Sequence, residues 1–158
     1  MTSKYGIVIV LHLSMIIADL CFNTASTVLF SDSTAQLMIY ILQDTCIILC
    51  IIVMLITFSS TFVFQAGLIS VLVKQFAPSL IISFIYLALS ITLHVISLKD
   101  RWEVKKYVWP TYLTIIYVLQ RIVALPYYFL YKRTSFLLSD PKYHSDSDWL
   151  REKIRQRL

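Results

Sequence analysis

The 158 residues are 58% apolar and only 15% charged, with a mean hydropathy of +0.75. A water-soluble domain averages about half apolar and about a quarter charged, so this chain lacks the polar surface to coat a globule. Two glycines and four prolines exclude collagen-like and low-complexity chains. Cys21, Cys46 and Cys50 all lie inside apolar runs and form neither a disulfide framework nor a zinc motif. The composition is that of an integral membrane protein.

A bilayer core of about 30 Å requires about 20 apolar residues of helix. Residues 7–29 meet that length, as do 80–98 and 108–131. The first run is long for a cleaved leader and is interrupted by Asp19, so it reads as a retained span. Residues 36–73 pass with Asp44 as their only charge and with no turn residue between two halves. At 1.5 Å per residue that stretch reaches about 57 Å as one helix. It is therefore expected to be a single long second helix, with residues 50–72 as its better membrane segment. Lys74-Gln75-Phe76-Ala77-Pro78 is expected to reverse the chain, with Pro78 in the first turn of the next helix. The fold class expected is all-α, a four-span bundle over residues 1–135 followed by a basic tail over 136–158.

The net charge of +5 is concentrated in one loop and the tail. Lys4, Lys74, Lys132, Arg133 and Lys142 face one side, against Lys99, Arg101, Lys105 and Lys106 on the other. The positive-inside rule then puts both termini in the cytoplasm. Tyr127, Tyr128 and Tyr131 before Lys132-Arg133 read as an aromatic belt at that interface, and Trp102, Tyr107 and Trp109 mark the opposite one. In the tail, Leu150, Ile154 and Leu158 recur every four residues among Arg151, Lys153, Arg155 and Arg157, after a Ser145–Asp148 helix start. This is a short basic amphipathic helix, with Trp149, Leu150 and the four cations as the residues expected to meet anionic lipid or a partner. So short a basic run on a membrane protein does not point to nucleic acid.

Ionisable groups in a span are costly and are functional candidates. His12, Asp19 and Asn23 share one helical face, at i, i+7 and i+11. Asp44 with Gln43, then Gln65, His94 and Gln120-Arg121 follow in later runs. Two readings compete. Asp19, Asp44 and His94 would serve as relay groups in a small channel or proton-coupled transporter. Alternatively Arg121, the one cation deep in a span, would be neutralised by Asp19 or Asp44 as a buried ion pair. The second is preferred, because transporters generally carry internal repeats and Gly- or Pro-broken helices, and here only Gly67 and Pro126 interrupt the spans. His94, near the end of its span, reads equally as an interfacial histidine. Gln65, Ala66, Gly67 and Ser70 form a patch suited to close helix packing or a partner interface. No phosphate loop, GxSxG or HExxH occurs, so neither an enzyme nor a cofactor or metal is expected.

Several segments carry a recognisable pattern. They are Gln43-Asp44, the octet Thr61-Phe62-Val63-Phe64-Gln65-Ala66-Gly67-Leu68, Ala88-Leu89-Ser90 with Leu93-His94-Val95, and Arg101-Trp102. Gln120-Arg121, Tyr131-Lys132-Arg133-Thr134, Asp140-Pro141 and Asp146-Ser147 with Trp149-Leu150-Arg151 complete the series. In this order they resemble the transmembrane protein 138 family over nearly the whole chain from residue 43. The resemblance implies a four-span protein required for building primary cilia, found at the ciliary base and on associated vesicle or vacuolar membranes. It implies no catalytic activity, cofactor or metal. The partners it implies are other multi-span proteins of the ciliary transition zone. The function expected is thus a non-enzymatic scaffold or trafficking factor for ciliogenesis, with the channel reading as its rival.

Overall fold

A chain this apolar can hide its backbone in lipid only by closing every N–H and C=O within its own segments, which helices do. The computed structural model describes residues 2–28, 33–60, 69–103 and 110–139, with side chains over 6–28, 33–60, 76–100 and 110–139. The described residues form α1 (Thr2–Val28), α2 (Ser33–Ser59), α3 (Ile69–Glu103) and α4 (Thr111–Leu138). Each contains a segment long and apolar enough to cross a membrane. The four-span helical bundle expected from the sequence is the fold.

Each helix runs antiparallel to its neighbours. Asn23 meets Gln43 while His12 meets Thr57 between α1 and α2. Tyr40 meets Ser97 while Met54 meets Ser79 between α2 and α3. Ser90 meets Gln120 and Tyr86 stacks on Tyr127 between α3 and α4. Asn23 also meets Gln120 while His12 meets Tyr131, which closes the ring between α1 and α4.

The long second helix is a correction. α2 ends at Ser59, and the longest helix is α3, with 35 residues. The stop uses hydroxyls where glycine or proline was sought. Ser59 Oγ donates to the Leu55 carbonyl at 2.7 Å, Ser60 Oγ to that of Thr57 at 2.8 Å, and Thr57 Oγ1 to that of Val53 at 2.8 Å. Ser60 Oγ thereby satisfies the Thr57 carbonyl, which the helix end leaves without an intrahelical donor, while the Thr57 and Ser59 hydroxyls bond back to carbonyls already within the ladder. The expected reversal at 74–78 is likewise absent, because Pro78 lies inside α3. Pro78 lies nine residues after Ile69, more than two turns into the helix.

The bundle is inverted relative to a soluble one. Ile7, Val10, Ile56, Ile81, Ile122, Leu125 and Phe129 all face outward. The inward faces carry His12, Asp19 and Asn23 on α1, Gln36 and Gln43 on α2, Ser79, Ser83, Ser90 and Ser97 on α3, and Gln120 on α4. Buried positions on α3 (Ser79, Ser83, Tyr86, Ser90, Leu93 and Ser97) recur three and four residues apart, one stripe of a helix. Serine there lets backbones approach closely, as helices must where lipid gives them no hydrophobic drive to associate.

Candidate functional site

The antiparallel register stacks the inward polar groups in three layers. The central layer is built around Asn23, which uses all four of its hydrogen-bonding capacities. Its Nδ2 donates to the Tyr86 hydroxyl at 2.7 Å and to the Tyr128 hydroxyl at 2.9 Å. Its Oδ1 accepts from Gln43 Nε2 at 2.9 Å and from Gln120 Nε2 at 3.4 Å. One side chain of α1 thereby ties together all three other helices. The Tyr86 and Tyr128 hydroxyls in turn donate hydrogen bonds to Asp19 Oδ2, at 3.1 and 2.6 Å. Gln120 Nε2 also reaches the Tyr86 hydroxyl and Ser90 Oγ, both at 3.3 Å.

The layer toward the N-termini holds His12, whose Nδ1 lies 2.8 Å from the Tyr131 hydroxyl and whose Nε2 lies 3.4 Å from Thr57 Oγ1. Tyr131 donates to the backbone carbonyl of Cys50 at 3.1 Å. In the opposite layer, Tyr40 stacks on His94 with ring centres 4.0 Å apart. Gln36 Nε2 donates to the Tyr40 hydroxyl, which in turn lies 3.3 Å from Ser97 Oγ. Asp44 Oδ1 sits 2.9 Å from His94 Nδ1, close enough for an ion pair but outside hydrogen-bond alignment.

Asp19, Asp44 and Arg121 therefore have separate surroundings. Asp19 is fully buried under two tyrosine hydroxyls, and Asp44 is half-buried against His94. Arg121 Nη2 donates to the backbone carbonyl of Asn23 at 2.9 Å and reaches Thr27 Oγ1 at 3.4 Å. Its guanidinium lies over the Tyr117 ring, 4.8 Å from the centroid. Among the described residues neither acid forms a salt bridge with it. The helix register explains the difference, since Gln120 occupies the inward position and Arg121 is turned about 100° from it toward the end of α1.

His12, Asp19 and Asn23 do share a buried face. No described hydrogen bond joins the Asp44–His94 pair to Asp19, so the supposed relay groups fall in two separate layers. His94 is buried within the bundle. The tyrosines were also misjudged: Tyr127 and Tyr131 are core residues, and Tyr128 points at Asp19. Their 4-3-4 spacing in Gln120, Ala124, Tyr127 and Tyr131 was the available signal of an inward stripe, masked by the basic pair that follows. Tyr86 and Tyr40 carried no sequence signal, because a hydroxyl's partner across the bundle depends on register. Gln65, Ala66, Gly67 and the tail residues Trp149, Leu150, Arg151, Lys153, Arg155 and Arg157 lie outside the described residues, as does the side chain of Ser70. Among the described residues no three His, Cys, Asp or Glu side chains converge as a metal would require.

A cavity of about 520 Å³ opens beside the Tyr40–His94 layer, with Asn23, Gln36, Ser97, Thr114 and Arg121 in its walls. A second, more open depression lies between α1 and α4, lined by Leu20, Val118, Ile122 and Leu125 with Tyr117 and Arg121.

The family model described as Transmembrane protein 138 matches residues 36–153. The chain belongs to that family. It is similar to Transmembrane protein 138 of Danio rerio, at 40% identity over 96% of this chain and 94% of the relative. It is also similar to the Mus musculus protein, at 38% over 98% and 96%, and to the Xenopus tropicalis protein, at 39% over 96% and 94%. No solved structure matches the chain. The family match spans α2, α3 and α4, and the relatives extend it over α1, so Asn23 and its partners all lie within the shared length.

Proposed function

We propose that this protein is a non-enzymatic multi-span scaffold or trafficking factor required for cilium assembly, acting at the ciliary base and transition zone and on associated vesicle or vacuolar membranes. The observation that carries the reading is membership of the transmembrane protein 138 family over nearly the full chain. The structure is compatible with it in two respects. The inward polar groups are spent chiefly on one another, which suits a rigid body. The outward faces of all four helices are apolar, so they can meet lipid or other multi-span proteins. In this reading both termini are cytoplasmic, the transition-zone partners dock on helix faces, and the basic tail meets anionic lipid.

The test is localisation of the tagged protein at near-endogenous level in ciliated cells, paired with deletion. Enrichment at the ciliary base with short or missing cilia is the expected result. Distribution through another organelle, with cilia intact after deletion, overturns the proposal.

A further inference from the structure

Arg121 is a cation within a membrane span that has no described carboxylate partner. A charge so placed calls for an anion or for access to water. Its surroundings are built on one side for a polar group and on the other for a hydrocarbon chain. The 520 Å³ cavity is of the size that takes a small-molecule ligand. Gln36 lines it, is 1% exposed, and its Oε1 has no hydrogen-bond partner among the described residues. The α1–α4 groove is apolar except at Tyr117, Arg121 and Tyr128, and it shares Tyr117 and Arg121 with the cavity. Arg121 thus stands where a cavity with a few polar side chains in its largely apolar walls meets a groove on the outward surface of the bundle.

The depth is consistent with a lipid headgroup. α4 has 28 residues, about 42 Å, so about 6 Å extends past each face of a centred 30 Å core. Arg121 lies ten residues after Thr111, which puts its Cα about 9 Å below the boundary on the side of the α1–α2 and α3–α4 connections. Helical side chains lean toward the N-terminus, and the guanidinium does so, lying over Tyr117 one turn earlier. That brings it within about 4 Å of the boundary, in reach of a phosphate.

Two acids stand near enough to oppose an anion. Asp19 is screened by the Tyr86 and Tyr128 hydroxyls, and Asp44 is held against His94. Arg121 interacts with Asp19 at longer range but forms a salt bridge with neither acid among the described residues, so its guanidinium is open to one anion. The orphan Gln36 oxygen calls for a donor on the same ligand, which a hydroxylated headgroup has and a choline lacks.

We propose that the cavity and groove together bind one acidic membrane lipid. Its phosphodiester lies on Arg121, its headgroup hydroxyls face Gln36, and one acyl chain runs along Leu20, Val118, Ile122 and Leu125. The site lies at the opposite end of the bundle from Leu138, where α4 ends, and is independent of the ciliary reading.

The full-length protein, purified and delipidated in detergent, is titrated with phosphatidylglycerol and with phosphatidylcholine of the same chains, and occupancy is read by native mass spectrometry. The expected result is a single bound lipid with at least a ten-fold preference for phosphatidylglycerol. Arg121→Gln should reduce that preference to about two-fold or less, and Arg121→Lys should retain part of it. Ile122→Trp alters an outward-facing groove residue, so it retains the fold and should weaken lipid binding by itself. It decides the matter if Arg121→Gln fails to melt cooperatively. Equal affinity for the two lipids, a preference unchanged by Arg121→Gln, or lipid binding unchanged by Ile122→Trp overturns the site. Binding of free glycerol phosphate as tight as that of the lipid overturns the lipid assignment.

Discussion

Replacing Asn23 by leucine tests whether one amide organises the bundle, and its cost can be worked out partner by partner. Gln43 Nε2 loses its 2.9 Å acceptor and keeps only its approach to Asp19, and among the described residues its Oε1 is already without a partner, so a buried amide is left poorly satisfied at about 1–3 kcal/mol. The bonds to Tyr86 and Tyr128 go as well, at about 0.6 kcal/mol each on the scale measured between membrane helices. Both tyrosines still donate to Asp19, and the backbone carbonyl that holds Arg121 is untouched. The sum is about 2–4 kcal/mol. Tyr86→Phe is the proper comparison, because each partner of that hydroxyl keeps another. Asn23 keeps Tyr128, Asp19 keeps Tyr128, and Gln120 keeps Ser90. Its expected cost is about 1 kcal/mol. Unfolding in mixed micelles with rising dodecyl sulfate, followed by circular dichroism, measures both. An Asn23→Leu protein as stable as wild type, or more stable than Tyr86→Phe, would refute the central role of Asn23.

Tyr127→Phe and Tyr131→Phe should differ in the same assay. Among the described residues the Tyr127 hydroxyl has only the weakly bonding Cys50 thiol near it and no aligned partner, so its loss should cost less than about 0.5 kcal/mol, whereas Tyr131 bonds both His12 and the Cys50 carbonyl and should cost about 1–2 kcal/mol. Double-mutant cycles should give a coupling of about 0.5–3 kcal/mol between Asp44 and His94 and one near zero between Asp44 and Arg121; the reverse ranking would contradict the register of α2 against α3 and α4. In detergent, an apolar maleimide should label Cys21, which is exposed, and spare Cys50, which is buried, until the bundle unfolds. Mass spectrometry of the digested protein reads this directly, and early labelling of Cys50 would count against the core.

Hydropathy alone was enough for the number of spans and the all-helical class, because lipid permits so few ways to close a backbone. The helical period placed His12, Asp19 and Asn23 on one face, and the charge of Arg121 made it conspicuous. Helix ends were harder to read. Ser60 closes α2 by bonding the Thr57 carbonyl with its hydroxyl and the Ile56 carbonyl with its N–H, a stop that composition does not distinguish from ordinary serine. Pro78 lies inside α3 and not in its first turn, so the preference of proline for helix starts misplaced this end. The partners of each polar group were settled by tertiary structure alone. Asp19, Asp44 and Arg121 look like a charge set when read along the chain. Only the antiparallel register puts Tyr86 and Tyr128 over Asp19, His94 against Asp44, and leaves Arg121 facing a cavity. Periodicity fixes which face a residue shares within its own helix, whereas its depth and its neighbours across the bundle follow from how four separate helices slide and turn against one another.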